Sequence, residues 1–525
     1  MQPGRQFAYR RSPDQDAVVP VRHPVVIVGA GPVGLTLALD LARRAVPVVL
    51  LDDADRIGEG SRAICFAKRT LEIFDRLGLA EAMVARGVTW QKGKVFRGED
   101  VLYEFDLLPE AGHKQPAFIN LQQYYVEAAL VEAALVEPLI DLRWSNRLVG
   151  LQAREDGAEI SIATPEGEYA MSADWLVACD GARSPTRGLL GLEFRGEAFE
   201  DRFLIADVKM KGAFPTERWF WFDPPFHSGR SALLHKQPDD VWRIDLQLGR
   251  DADPEHEKRP EIVRPRLERM LGHADFALEW VSVYRFQCRR LDRFVHGRVV
   301  FAGDAAHQVS PFGARGANSG IQDADNLGWK LALVLQGKSP ASLIASYDLE
   351  RGAAADENIL NSTRATDFIA PRSPGERLLR EASLALAPLT GFGKRFVNSG
   401  RLSLPTAYAD SPLSTPDSGW AGGVPPGAPF LDAPLSDGVG GFAWLSEALA
   451  PGTPVVIGDA AGLAPPETVA VVPAAGGDDI LRRRYGLAPG DAVVLRPDGH
   501  AAARFHATSR ADIAGAIEKL EGRAP

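Results

Sequence analysis

Short apolar runs, each stopped by glycine or aspartate, recur along most of the chain and set the expected order of elements. Val25–Val28 is a β-branched run that meets a glycine turn; Pro32–Arg44 then reads as an apolar helix, and Val46–Leu51 as a second buried strand ended by Asp52. Strand, helix, strand is the βαβ unit of a parallel sheet. Ala67–Leu77 and Gln123–Val136 carry helical patterns. From Arg147 to Met171 the pattern alternates and turns at Asp156-Gly157 and Glu166-Gly167, which predicts a β-meander. Trp175–Cys179 and Arg298–Ala302 are further buried runs, the first broken by Asp180-Gly181 and the second leading into Gly303-Asp304. Ile321–Gln336 and Ser342–Thr363 read as long helices.

The pattern changes character between these blocks. In residues 195–290, Arg218–Phe222, Ser231–His235 and Val241–Leu248 alternate like strands with Pro- and Gly-rich breaks, so an antiparallel sheet inserted in the α/β domain is expected. Residues 400–430, rich in Pro, Gly, Ser and Asp, read as a linker. Strands return at Thr453–Ile457, Val469–Val472 and Ala492–Leu495, between helical stretches at Phe442–Ala450 and Arg510–Glu521. The expected fold class is therefore α/β. An N-terminal extension (1–22) precedes a dinucleotide-binding domain (23–195 and 285–400). That domain is interrupted by a sheet domain (196–284) and followed by a linker (401–425) and a small α/β domain (426–525).

Composition narrows the function. The 525 residues carry a net charge of −10, which argues against a nucleic-acid binder because it lacks a basic footprint. Three cysteines, Cys65, Cys179 and Cys288, without a short-spaced pair fit reduced thiols in a cytoplasmic protein. The polar N-terminus has no apolar core of a signal peptide, and no apolar run approaches the ~20 residues of a membrane span.

The clearest chemistry lies in Gly29-Ala30-Gly31-Pro32-Val33-Gly34. Gly29 permits the tight turn, Gly31 lets the backbone approach a pyrophosphate, and Gly34 lets the helix pack against the strand. The pyrophosphate then sits at a helix N-terminus, where free N–H groups and the dipole favour negative charge. Asp52, about 20 residues on, is placed to reach a ribose hydroxyl. This fingerprint alone does not choose between NAD and FAD.

Three stretches make that choice. They are the fingerprint with Asp52 and Ser61-Arg62-Ala63; Asp180-Gly181-Ala182-Arg183-Ser184 with Arg187; and Arg298 through Gly303-Asp304 and His307 to Pro311–Asn318. With them the chain resembles the class A flavoprotein aromatic hydroxylases, the p-hydroxybenzoate hydroxylase superfamily, over roughly residues 22–390. Its general look is similar to 3-(3-hydroxyphenyl)propionate hydroxylases and phenol hydroxylase-like members. The resemblance implies non-covalent FAD, with NADPH or NADH as co-substrate bound transiently, since no second GxGxxG is found. It implies that O₂ adds at flavin C4a and that one oxygen atom passes to a ring carbon of a small phenolic substrate.

Individual residues follow from the same resemblance. Asp304 is implied at the ribityl chain, although it also suits a helix N-cap. Pro311, Gly316, Ala317 and Asn318 are implied as flavin neighbours, and backbone N–H groups free of side-chain obstruction there suit the pyrimidine edge. Gln123 matches a glutamine near the flavin, or is a surface helix residue. Asp180 either serves both nucleotides or ends a strand in a structural turn. Residues 426–525 resemble a thioredoxin-like domain; lacking cysteine, they are left a packing or dimer-forming role.

The inserted sheet is expected to roof the substrate. Arg243, Asp245 and Gln247 share one strand face, either lining a substrate cavity or facing solvent. His235, among apolar neighbours, is either a satisfied core histidine or a group that bonds a phenol. Trp219 and Trp221 read as pocket wall or core. Two other functions stay open: hydroxylation of a larger polycyclic phenol, and binding of an aromatic ligand without hydroxylation.

Overall fold

The computed structural model describes residues 4–58, 62–212, 214–399, 402–416, 419–420, 422–435, 442–449, 453–458, 469–473 and 480–523. Ser61, Ala450 and parts of the expected linker lie outside the described residues.

Five parallel strands form the spine of the first sheet, in the order Val299–Phe301, Gly167–Ala178, Val21–Val28, Val48–Leu51, Ile140–Arg143. Their continuous apolar sequences follow from burial on both faces. The helices Pro32–Arg43 and Gly316–Leu335 pack against each other beside this spine. The meander Arg147–Ala153, Ala158–Thr164 and Gly167–Ala178 is antiparallel and extends the sheet through its last strand. Functional sites in such sheets lie beyond the C-terminal ends of the strands. The turns after Val28, Leu51, Ala178 and Phe301 all open on that side.

The second sheet has eight strands and is larger than the inserted segment alone. Arg195–Lys209, Ala277–Arg290, Val241–Gly249, Ser231–Lys236 and Arg218–Phe222 pair antiparallel. Lys92–Arg97 then joins Arg218–Phe222 in parallel and carries Asp100–Asp106. His307–Gln308 closes the other edge, so residues assigned by sequence to the dinucleotide domain complete this sheet on both sides. One face buries Trp242, Ile244, Leu246, Leu248 and Trp221 against Val263 and Leu267 of the helix Pro260–Leu271. The Trp219–Trp221 pair therefore belongs to that core and not to a pocket wall.

A third sheet, in the order Ala470–Pro473, Val455–Gly458, Ala492–Leu495, Ala501–Phe505, has a parallel first pair and antiparallel pairs after it. The helix Arg510–Leu520 buries Ile513, Ile517 and Leu520 in the same cluster as Trp329 of the long helix. One segment differs from expectation. The linker region is packed: Leu402, Tyr408 and Leu413 are buried, because low regular structure and burial are independent properties. The N-terminal extension is also anchored, with Phe7 stacked on Trp144 at 4.6 Å and Asp14 paired to Arg143 at 2.7 Å. Among the described residues no helix is long and apolar enough to cross a membrane.

Candidate active site

A cavity of roughly 560 Å³ runs between the first two sheets. The local backbone explains its first end. Gly29 adopts φ +104°, and a Cβ there would overlap the Cys179 carbonyl; Gly34 lies so close to the Gly29 carbonyl that a Cβ would collide with it. Gly31, at φ −77° and ψ −177°, has open space where a Cβ would stand, and it lines the cavity. Pro32 follows at the first helical position, where its missing N–H costs nothing. Ala30 is buried behind the turn and donates its N–H to Asp52 Oδ2 at 2.6 Å, while Ala54 donates to Oδ1 at 2.9 Å. Asp52 thus braces the turn and faces the cavity together. Burial pushes its carboxyl above the ordinary range, and the two backbone donors oppose that rise.

The middle of the cavity is built by two carboxylates and a loop. Gly303 adopts φ +63° and starts a short 3-10 turn that sends Asp304 into the cavity. Asp304 touches cavity solvent yet is enclosed by protein, and that desolvation raises its pKa against the pull of His307 and Arg62. The turn is pinned from beneath. Asp323, fully buried, accepts the Gly303 N–H at 2.9 Å, His307 Nε2 at 2.7 Å and Arg351 Nε at 2.6 Å. Val33 wedges between Gly303 and Gly320, where no larger residue fits. On the opposite wall Gln123 accepts the Ala63 N–H at 3.0 Å and donates to Glu127 at 2.7 Å, so it orders the loop carrying Arg62. Asp180 lines the cavity and accepts from Thr186 N–H at 2.9 Å at the start of the next short helix, with its Oδ1 buried and without a partner among the described residues.

The far end is formed by Pro311, Ala314, Arg315, Gly316, Ala317 and Asn318. Ala314 is left-handed at φ +51°, which turns the chain into the helix Gly316–Leu335. The first N–H groups of a helix lack intrahelical partners, and a 20-residue helix adds a positive dipole end. The Asn318 side chain is spent on structure: it accepts from Ala67 N–H and Thr70, and donates to the Cys65 and Ala314 carbonyls. What this wall offers the cavity is backbone.

The polar face of the second sheet lines the same cavity. Register places side chains in cross-strand rows. One row reads Arg218, His235, Arg243, Asp207; the next reads Phe220, Leu233, Asp245, Ile205; a third reads Phe222, Ser231, Gln247, Phe203. Arg218, His235, Arg243, Leu233, Asp245 and Ile205 line the cavity. Gln247 does not. It lies four residues along the strand from Arg243, about 13 Å at strand rise, and accepts from Ser231 N–H and Oγ at 3.1 Å. Arg243 forms a bidentate pair with Asp207 at 2.8 Å. His235 is buried and held neutral by desolvation, reinforced by the charges of Arg218 and Arg243. Its Nδ1 lies 3.9 Å from Cys65 Sγ, whose own hydrogen-bond acceptor is Asn120 at 3.1 Å. Arg218, Cys65, Asn146 and Arg147 also line the cavity and went unread in the sequence, because non-local strands deliver them. We expect His235→Ala to waste reduced flavin as H₂O₂ while flavin content stays normal, and Gln247→Ala to leave coupling unchanged. The ratio of hydroxylated product to H₂O₂ checks both; uncoupling by Gln247→Ala would show that the third row reaches the substrate.

These donors and acceptors fit FAD. The turn open at Gly31 would admit a pyrophosphate, Asp52 and Asp304 would accept from hydroxyls, and the orphan helix N–H groups would suit the electron-rich edge of a flavin ring. Fold and site together define a flavin-dependent hydroxylase. Comparison agrees: residues 22–362 match the family model described as FAD binding domain, and the chain belongs to this family of class A FAD-dependent aromatic hydroxylases. The 6-methylpretetramide 4-monooxygenase of Streptomyces rimosus is 34% identical over 532 residues, covering 94% of this chain and 93% of that protein. A 3-(3-hydroxy-phenyl)propionate/3-hydroxycinnamic acid hydroxylase of Mycolicibacterium smegmatis is 29% identical, covering 71% and 66%. The solved flavin-dependent monooxygenase PieE, in complex with FAD and substrate, shares the fold at TM-score 0.81 and 24% identity, covering 96% of this chain and all of that one.

Proposed function

We propose that the protein hydroxylates a polycyclic phenol, with NAD(P)H as reductant and O₂ as oxygen source. The observation that carries this reading is that a glycine-rich helix start and a polar sheet face line one cavity. Backbone donors at Gly316–Asn318 and the Arg218–His235–Arg243 row line the same cavity, so an aromatic ring bound there would be within reach of both the flavin site and side-chain hydrogen-bonding groups. Bound FAD supplies the redox and oxygen-activating chemistry. The chain supplies the rest. Asp304, Asp52 and the Gly31 turn hold the cofactor. Leu233 and Ile205 give the substrate an apolar bed, and neutral His235 accepts or donates one hydrogen bond to it. The choice of a polycyclic substrate draws on relatives named 6-methylpretetramide 4-monooxygenase and 12-dehydrotetracycline 5-monooxygenase/anhydrotetracycline 6-monooxygenase, at 34% and 32% identity.

A smaller phenolic acid is the second reading. Arg218 is buried, and among the described residues its side chain's hydrogen-bond acceptor is the Phe312 carbonyl at 2.9 Å; an arginine so placed suits a substrate carboxylate. We also read the C-terminal domain as thioredoxin-like. Its parallel pair, antiparallel hairpin and closing helix support that, and the absence of cysteine leaves it a packing role.

With ¹⁸O₂, the product should carry one labelled oxygen, and tetracyclic phenols should stimulate NAD(P)H oxidation more than 3-(3-hydroxyphenyl)propionate. Label arriving from water would overturn the monooxygenase reading; the reverse substrate order would favour the phenolic acid.

A further inference from the structure

We propose that two copies of the chain pair through the outward face of the helix Pro374–Leu386, antiparallel and about a two-fold axis. The helix is well specified locally. Ser373 caps it by accepting the Glu376 N–H at 3.2 Å, and Pro374 takes the first helical position. A surface helix ordinarily buries its apolar stripe and shows a polar one. The inner side obeys this rule: Leu384 and Ala387 are buried in the same apolar cluster as Phe312 and the cavity residue Leu233. The outer side does not. Leu378, Leu379, Ala382, Ala385, Leu386 and Leu389 are all exposed, Leu378 at 73% and Leu389 at 76%. The turn after the helix carries it on to Leu389, with Thr390 N–H bonded to the Leu386 carbonyl at 3.2 Å. At the ~100° per residue of an α-helix, these six positions fall in one sector of about 120°. Glu376, Arg377, Arg380 and Glu381, the charged residues of the helix, all lie outside that sector.

Phe392 and Phe396, edge to face at 4.8 Å and also exposed, extend the patch past the helix end, where Gly393 lies against the Leu386 carbonyl. Area and sequence order both point to a second copy as the occupant. Taking about 200 Å² for each of the leucines and phenylalanines when fully exposed, their open fractions leave roughly 700 Å², close to the ~800 Å² that each partner of a standard interface buries. Leu378, Ala382, Ala385 and Leu389 follow one another at intervals of four, three and four residues, so the stripe reads the same in both directions. A two-fold contact requires such self-complementarity, because each copy presents the same surface. The small alanines at the middle let the two backbones approach, and the leucines at either end close over the crossing. Arg377, Lys394 and Arg395 border the patch and would suit anionic lipid. The net charge of −10 opposes that, and a bilayer makes no use of a stripe that reads alike in both directions.

The test is sedimentation velocity of the FAD-loaded full-length protein through the micromolar range. The wild type should run as a dimer. Ala382→Glu sets like charges against each other at the crossing and should raise the dimer dissociation constant on the order of 10²-fold or more. Flavin content should stay at the wild-type value, because residue 382 is exposed in the single chain. Ala382→Cys should yield a covalent dimer with a short bis-maleimide, since Cys65, Cys179 and Cys288 are all buried. A wild type that stays monomeric throughout overturns the proposal, and its binding to vesicles of phosphatidylglycerol and phosphatidylcholine would then assign the face to a membrane. A dimer that Ala382→Glu leaves intact, or that gives no crosslink in Ala382→Cys, puts the contact elsewhere and overturns it equally.

Discussion

Gly31→Val is expected to give a folded protein that carries no flavin. The backbone there is extended, with φ −77° and ψ −177°, a conformation valine adopts readily, and a Cβ would touch nothing within 4 Å. Folding therefore has no objection to the side chain. The cofactor does, because the open space lies in the cavity at the start of the helix, where the pyrophosphate must come close to backbone N–H groups. FAD affinity should drop roughly 10²-fold or more, about 2.8 kcal/mol at the usual conversion. Gly34→Ala makes the contrast. Its methyl group would run into the Gly29 carbonyl and push the helix off the strand, so expression and thermal stability should suffer before any question of flavin arises. Circular dichroism and the ratio of flavin to protein absorbance after gel filtration separate the cases. A yellow Gly31→Val at wild-type ratio would show that the pyrophosphate passes elsewhere.

The same contrast marks what a sequence can reveal. The fingerprint, Asp52 and Asp304 are legible because each sits at the end of a buried strand next to a glycine turn, and local chain geometry dictates where they point. The polar stripe on Val241–Gly249 is legible as a face through its two-residue period, since Trp242, Ile244 and Leu246 must go the other way into the core. Position along that face is not legible. A shift of four residues moves Gln247 out of the cavity, and the period is the same for all three rows. Arg218 and Cys65 come from a strand paired with Lys92–Arg97 and from one paired with Phe118–Asn120, long-range choices that no local pattern records. The segment 401–425 misled for another reason. Proline and glycine report missing regular hydrogen bonding, whereas Leu402, Tyr408 and Leu413 are held by side-chain contacts with the long helices and the last domain.

Those contacts converge on Glu350, and Glu350→Gln is expected to be the most destabilising isosteric change outside the cavity. Glu350 is buried and accepts from Lys330 at 2.6 Å, Arg496 at 2.6 and 2.9 Å, Asn326 at 2.7 Å and Ser411. Asp498 accepts from Arg496, Asn326 and Trp329. Lys330, Asn326 and Trp329 belong to the helix whose N-terminus lines the cavity, and Arg496 and Asp498 to the C-terminal domain. Two buried cations are balanced here by two buried anions. Removing one anion leaves an uncompensated positive charge in a dry site, which costs about 3–5 kcal/mol, a large part of an ordinary 5–15 kcal/mol stability. The double variant Glu350→Leu with Arg496→Met removes one charge of each sign and should be less damaging than the sum of its parts. The acid limb gives an independent reading. Burial alone would raise the Glu350 carboxyl, but Arg496 and Lys330 overcome it and hold it far below the ordinary range; Asp498 and Asp323 are depressed likewise. Groups with depressed folded pKa stabilise the native state above their unfolded values, near 4, and lose that contribution as pH falls toward the folded ones. Wild-type stability should therefore hold above about pH 5 and fall steeply below it, with a shallower fall for Glu350→Gln. Thermal melts followed by flavin fluorescence from pH 7 downward test both statements. An unchanged melting temperature for Glu350→Gln at pH 7 would mean that the C-terminal domain does not clamp the flavin helix through this charge cluster.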